Sequence, residues 1–172
     1  MNYNSHGTNT ISIGCFDEFD VNRSKNLMRI FYELKKGTDC LYVCCFRLCS
    51  ADESAVLQII DKCTTMGGFE NIEFDGFQLS FFVDANFEFK VIAKVLSELF
   101  FTFESPFFFF SKRAVNNEKV FQFLSDSVAS SSLITSLLTG YVAYKEVEDD
   151  ILWIRKSESE SFECITKQLE QS

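Results

Sequence analysis

Four of the seven cysteines fall within Cys40-Leu-Tyr-Val-Cys-Cys-Phe-Arg-Leu-Cys49, and thiols at that density first suggest a metal or redox centre. A zinc site needs ligand pairs two to four residues apart on a turn, so that the thiolates converge tetrahedrally. Here the residues between the cysteines are apolar at both alternating positions, the pattern of a strand covered on both faces. A strand sends Cys40 and Cys44 to one face and Cys45 and Cys49 to the other. Four thiols split in this way cannot share one ion. The spacing therefore predicts core cysteines, with no metal site and no cofactor.

Acid–base and nucleophilic chemistry have little to draw on. The single histidine, His6, lies in a polar opening stretch, and a Cys–His pair would require that stretch to fold over the core. Gly67-Gly68 reads as a helix stop, not as a phosphate-cradling loop. Carboxylates are plentiful, yet no spacing singles out two of them as a catalytic pair. No catalytic residue is assigned and the chain is expected not to be an enzyme. A carboxylate-based enzyme of unknown substrate remains an alternative.

The elements that would position these groups follow an ordered series. The 40–49 strand leads into a helix over 50–66, opened by the capping box Ser50-Ala-Asp-Glu53 and carrying Val56, Leu57, Ile59, Ile60 and Cys63 on its inner side. Strands at Phe69 to Phe74 and Phe77 to Val83 flank Asp75-Gly76, a strong hairpin signal. A helix from Asn86 to Phe101 and a strand from Pro106 to Ser111 complete β-α-β-β-α-β, the split arrangement of ferredoxin-like domains. Before this unit, Ile11 to Phe16 suits a short strand. Leu27, Ile30, Phe31 and Leu34 form one face of a helix ending near Lys36. After it come a helix over Asn117 to Gly140, a hairpin of Tyr141 to Val147 and Ile151 to Lys156, and a last helix with Phe162, Ile165 and Leu169 inward.

The fold expected is thus α+β, with a ferredoxin-like βαββαβ core over about 40–111. An N-terminal strand–helix and a C-terminal helix–hairpin–helix are added to it within a single domain over 1–172, residues 1–10 being a flexible tail. Pro106-Phe-Phe-Phe-Phe110 sharpens the expectation. In a bare unit that strand would be an edge, and edges are not uniformly apolar. Its faces must be covered by the terminal segments, with a homodimer edge as the less favoured solution.

Sixteen Lys and Arg against 25 Asp and Glu give a formal net charge of −9 and a pI of about 4.6. A field of that sign repels nucleic acid and anionic membranes and favours a cationic partner. The opening Met-Asn-Tyr-Asn-Ser-His-Gly has neither a basic start nor an apolar run, and no uninterrupted apolar stretch of roughly 18 residues occurs. With an odd number of cysteines, this points to reduced thiols in the cytoplasm.

Two segments resemble those of the RNA-recognition-motif family: Leu41-Tyr42-Val43, and Asp75-Gly76-Phe77-Gln78-Leu79-Ser80-Phe81-Phe82. The resemblance covers about 40–111 and implies Tyr42 and Phe77 as base-stacking residues. Asp75 stands where that family has a base, and Leu79 where it has the central stacking aromatic. An RNA-binding module is kept as an alternative.

The acidic surface offers the leading reading. Glu146, Glu148, Asp149 and Asp150 cluster at the second hairpin, with Tyr144 and Trp153 on its strands. Leu152 and Ile154 alternate with Trp153 and Arg155, so Trp153 points away from the core formed by the aliphatic pair. Aromatics ringed by carboxylates suit a hot spot for a Lys/Arg-rich protein. In size, acidity, lack of a catalytic set and lack of targeting signals, the chain is similar to the immunity proteins of bacterial contact-dependent inhibition and other polymorphic toxin systems. That resemblance implies a tight one-to-one complex with a cognate toxin domain, often a nuclease, whose active site is plugged or whose substrate is shut out.

Overall fold

The structure, a computed structural model, describes residues 3–14, 22–48, 53–84, 86–112, 139–145 and 150–170. Among them run β1 (Tyr3–Ser5), β2 (Thr10–Ile13), α1 (Arg23–Lys35), β3 (Cys40–Leu48), α2 (Glu53–Met66), β4 (Phe69–Phe74), β5 (Gln78–Val83) and α3 (Phe89–Thr102). β6 (Phe103–Ser111), β7 (Gly140–Lys145), β8 (Leu152–Lys156) and α4 (Glu163–Glu170) follow. The strands make one antiparallel sheet in the order β1-β2-β8-β7-β6-β3-β5-β4. No described helix is long and apolar enough to cross a membrane.

The α+β class is as expected, but the sheet is larger than a four-stranded unit with appendages. The terminal segments do not merely lie over β6; they extend the sheet beside it. Pro106 to Phe110 pairs with β3 on one side, and β7 pairs with Phe107 to Ser111 on the other. The phenylalanine run is therefore interior in the sheet. The edges among the described strands are β1, of three residues, and β4. β4 is blunted by a register shift between Glu70 and Glu73, with Asn71 at φ 52, and it turns Glu70, Asn71 and Glu73 to solvent. A bulge and outward carboxylates are ordinary defences against edge-to-edge pairing.

One face of the sheet carries all four described helices. Leu41, Val43 and Cys45 of β3, Leu79 and Phe81 of β5, and Phe108 and Phe110 of β6 pack against α1, α2, α3 and α4. Each helix arrives there by its own periodicity. In α1, Leu27, Ile30, Phe31 and Leu34 are fully buried, and a core side chain of this kind contributes about 1.5–3 kcal/mol. Lys35 in the last turn and Gly37 at φ 76 end the helix as the sequence indicates.

Several expectations are corrected. Residues 1–10 are not simply a tail, because Tyr3–Ser5 pairs with β2, Tyr3 opposite Ile13. Phe77 is in the turn and β5 begins at Gln78, since Asp75 Oδ1 accepts hydrogen bonds from the N–H groups of Phe77 (2.8 Å) and Gln78 (2.7 Å). Gly140 starts a strand where a helix end was expected. A Cβ there would come within 2.0 Å of the Phe110 carbonyl oxygen, so β6 and β7 approach too closely for any side chain. The rest of the helix expected over 117–140 and most of the Ser50-Ala-Asp-Glu53 cap lie outside the described residues, as does Cys49.

Candidate functional site

The opposite sheet face carries a second, smaller cluster of Tyr42, Cys44, Phe109, Val142 and Tyr144, with Phe46, Phe82, Phe107 and Trp153 packed against it. Strand register builds it in two rows. In one row, Phe107 of β6 stands opposite Tyr144 of β7, which stands opposite Trp153 of β8. In the other, Phe82 of β5 stands opposite Tyr42 of β3, which stands opposite Phe109 of β6. Ring centroids lie 6.5 Å apart for Tyr144–Trp153, 5.7 Å for Phe107–Tyr144, 6.3 Å for Phe107–Phe109, 6.0 Å for Tyr42–Phe109 and 4.7 Å for Tyr42–Phe82. Such pairs add about 0.5–1.5 kcal/mol each beyond the area they bury.

The aromatic rows end at His6. Its ring centroid lies 4.7 Å from that of Trp153, and its Nε2 is 2.7 Å from Ser12 Oγ. The chain's only histidine thus meets an indole and a hydroxyl on this sheet face. Nothing in the linear pattern signalled this, because His6 follows a three-residue polar strand with no apolar alternation. The Arg155 guanidinium stands 5.5 Å from the Tyr144 ring centroid, giving this end of the face a cation.

The residues singled out at the second hairpin are placed unevenly. Leu152 and Ile154 are buried on the helix-covered face and Trp153 is half-buried on the other, as the alternation requires. Tyr144 stacks behind Trp153 but is only 6% exposed. Asp150 is exposed, with Oδ1 3.8 Å from the ammonium of the buried Lys145. Glu146, Glu148 and Asp149 lie outside the described residues.

The strand thiols Cys44 and Cys45 are positioned as strand geometry dictates, and the buried thiols are chemically quiet. Cys44 packs in the aromatic cluster and Cys45 under the helices. Burial pushes the Cys44 thiol up to about 12, the Cys63 thiol to about 11, and the Cys45 thiol well above its ordinary value. A nucleophile or ligand must be the thiolate, which these sites disfavour. Among the described residues no three His, Cys, Asp or Glu side chains gather closely enough to hold a metal ion.

The stacking pair implied by the RNA-recognition resemblance does not assemble. Tyr42 is 1% exposed and faces Phe82 in register, so its neighbours on β5 are the even-numbered residues. Phe77 lies in the turn, 56% exposed, ahead of the odd-numbered Leu79 and Phe81 that pack under the helices. A platform needs its aromatics on one open face.

A further feature lies among the helices. A groove of about 370 Å³ opens between the start of α1, the side of α2 that carries Ala55, Gln58, Ile59 and Lys62, and the end of α3. The Arg23 guanidinium lies 4.4 Å from the Phe101 ring centroid, Lys62 Nζ is 3.0 Å from Glu98 Oε2, and the Ser24 and Ser97 hydroxyls are 2.7 Å apart. Sequence reading missed this constellation, because its members come from three helices and share no local spacing. No family model, no curated protein and no solved structure matches the chain.

Proposed function

We propose that this chain is an acidic cytoplasmic protein-binding inhibitor, an immunity protein that neutralises a basic toxin domain, possessing no catalytic activity of its own. The observation that carries this reading is the net charge of −9. Such a field steers a cationic partner and raises its association rate. Support comes from the chemistry of the described residues. The buried thiols are held in their protonated form, and the helical groove has one carboxylate, Glu98, already facing Lys62.

In this proposal Glu146, Glu148, Asp149 and Asp150 meet Lys and Arg of the partner, and Trp153 supplies the apolar contact. Tyr144 backs Trp153 from beneath. The partner is a protein; neither nucleic acid nor membrane is bound, and the chain acts as one copy per toxin domain. We also read β6-β3-β5-β4, with α2 and α3 as crossovers, as a ferredoxin-like unit enlarged by β7, β8, β2 and β1. What supports it is a strand order and connection matching the split βαβ arrangement.

The test is retrieval of the partner on the tagged chain from its native host, followed by kinetics with the purified pair. Glu148→Gln, Asp149→Asn and Asp150→Asn together should slow association and flatten its dependence on salt. Unchanged kinetics would remove this surface from the proposal.

A further inference from the structure

We infer that the groove between α1, α2 and α3 is a binding site for a small organic carboxylate, with Arg23 as the group that grips it. The groove volume, about 370 Å³, falls within the range of small-molecule sites, roughly 300–1,000 Å³. Its apolar wall comes from Ala55, Ile59 and Phe101. Among the described residues three charged side chains line it, and two of them face each other, Lys62 Nζ standing 3.0 Å from Glu98 Oε2. Of these described side chains, Arg23 is the one that faces no opposite charge. Among the described residues no carboxylate pairs with it; its contact is the face of Phe101 at 4.4 Å.

The Phe101 ring faces the guanidinium carbon, a cation–π contact that uses up none of the guanidinium's N–H donors. A guanidinium fork matches the two oxygens of a carboxylate, making two parallel hydrogen bonds. In a chain of net charge −9, the described charges lining this groove sum to one positive. The class of ligand follows from these features: one carboxylate for Arg23, and a small apolar or aromatic body for Ala55, Ile59 and Phe101. Ser24 and Gln58 at the rim offer further hydrogen bonds to a polar substituent. This site is separate from the protein-binding surface proposed above and does not depend on it.

The experiment is a titration of the full chain with benzoate, followed by amide chemical shifts in two-dimensional NMR. Inorganic phosphate, and chloride at matched ionic strength, serve as parallel arms. Saturable shifts at Arg23, Ser24, Ala55, Gln58 and Thr102 are expected with benzoate and not with chloride. Arg23→Gln should weaken benzoate binding by about tenfold or more, because two charge-assisted bonds are lost. Arg29→Gln, an exposed cation elsewhere on α1, should leave it unchanged. Glu98→Gln should tighten binding, since Lys62 then adds its charge to that of Arg23. The Glu98 arm decides the matter even if Arg23→Gln fails to fold. Equal shifts with chloride, saturation by phosphate without benzoate, or weakened binding in Glu98→Gln would each overturn the proposal.

Discussion

Phe108 and Phe109 are neighbours on β6 and face opposite sides of the sheet, so together they measure whether the second face is a true core. Phe108 is fully buried, its ring edge-on to Phe31 of α1 at 4.9 Å. Phe109 is 1% exposed and lies 6.0 Å from Tyr42 and 6.3 Å from Phe107. Truncating a buried phenylalanine to alanine costs about 3–5 kcal/mol through lost transfer energy and the cavity left behind. Because Phe109 is as buried as Phe108, Phe109→Ala should cost as much as Phe108→Ala, although no described helix covers it. Against a total stability of about 5–15 kcal/mol, either change is severe. Phe77→Ala, at 56% exposure, should stay within about 0.5 kcal/mol. Urea unfolding followed by fluorescence of Trp153, the single tryptophan, reads all three, with similar slopes marking a change in stability alone. A loss below about 1 kcal/mol for Phe109→Ala beside the full loss for Phe108→Ala would refute the two-core account.

Other consequences can be checked separately. Gly140→Ala, whose Cβ would come within 2.0 Å of the Phe110 carbonyl, should lower stability by about 1–3 kcal/mol or more in the same urea assay. Under native conditions iodoacetamide should modify exposed Cys164 well before Cys44, Cys45 and Cys63, which peptide mass mapping of partly labelled protein resolves. The Asp75 carboxyl is held below its ordinary range, chiefly by the N–H groups of Gln78 and Phe77. Its contribution to stability is therefore present above the ordinary carboxyl pKa and is lost as pH falls through the depressed value. Asp75→Ala should accordingly make stability less steep in pH on the acid side, measured as unfolding midpoints from neutrality downward. Tyr141 is pushed up to about 12 by burial, so an ultraviolet titration of the native protein should show a phenolate step near that pH that Tyr141→Phe removes.

The parts of the fold legible in the sequence are those where one periodicity spans a whole element. The stripe of Leu27, Ile30, Phe31 and Leu34, the alternation through Cys40 to Phe46, and the Asp75-Gly76 turn each define a local structure that packing then preserves. The Phe107-Phe-Phe-Phe110 run was informative for the opposite reason, since a strand with no polar face demands neighbours on both sides. Less legible was how those neighbours arrive. Whether a terminal hairpin lies over a sheet or joins its edge depends on backbone pairing, which side-chain patterns report poorly. At the hairpin, Leu152 and Ile154 revealed which way Trp153 points, but not that Tyr144 would be covered or that Lys145 would reach Asp150. His6 and the Arg23 groove were invisible, because their contacts join segments distant in sequence with no repeat to link them.

The central proposal is that the chain neutralises a basic toxin domain. The most direct test co-expresses the chain with the toxin domain retrieved on it and follows growth of a sensitive host. Full rescue by the chain is expected, with weaker rescue by a variant carrying Trp153→Ala together with Glu148→Gln, Asp149→Asn and Asp150→Asn. Unrelieved growth arrest in the presence of folded chain would contradict the proposal.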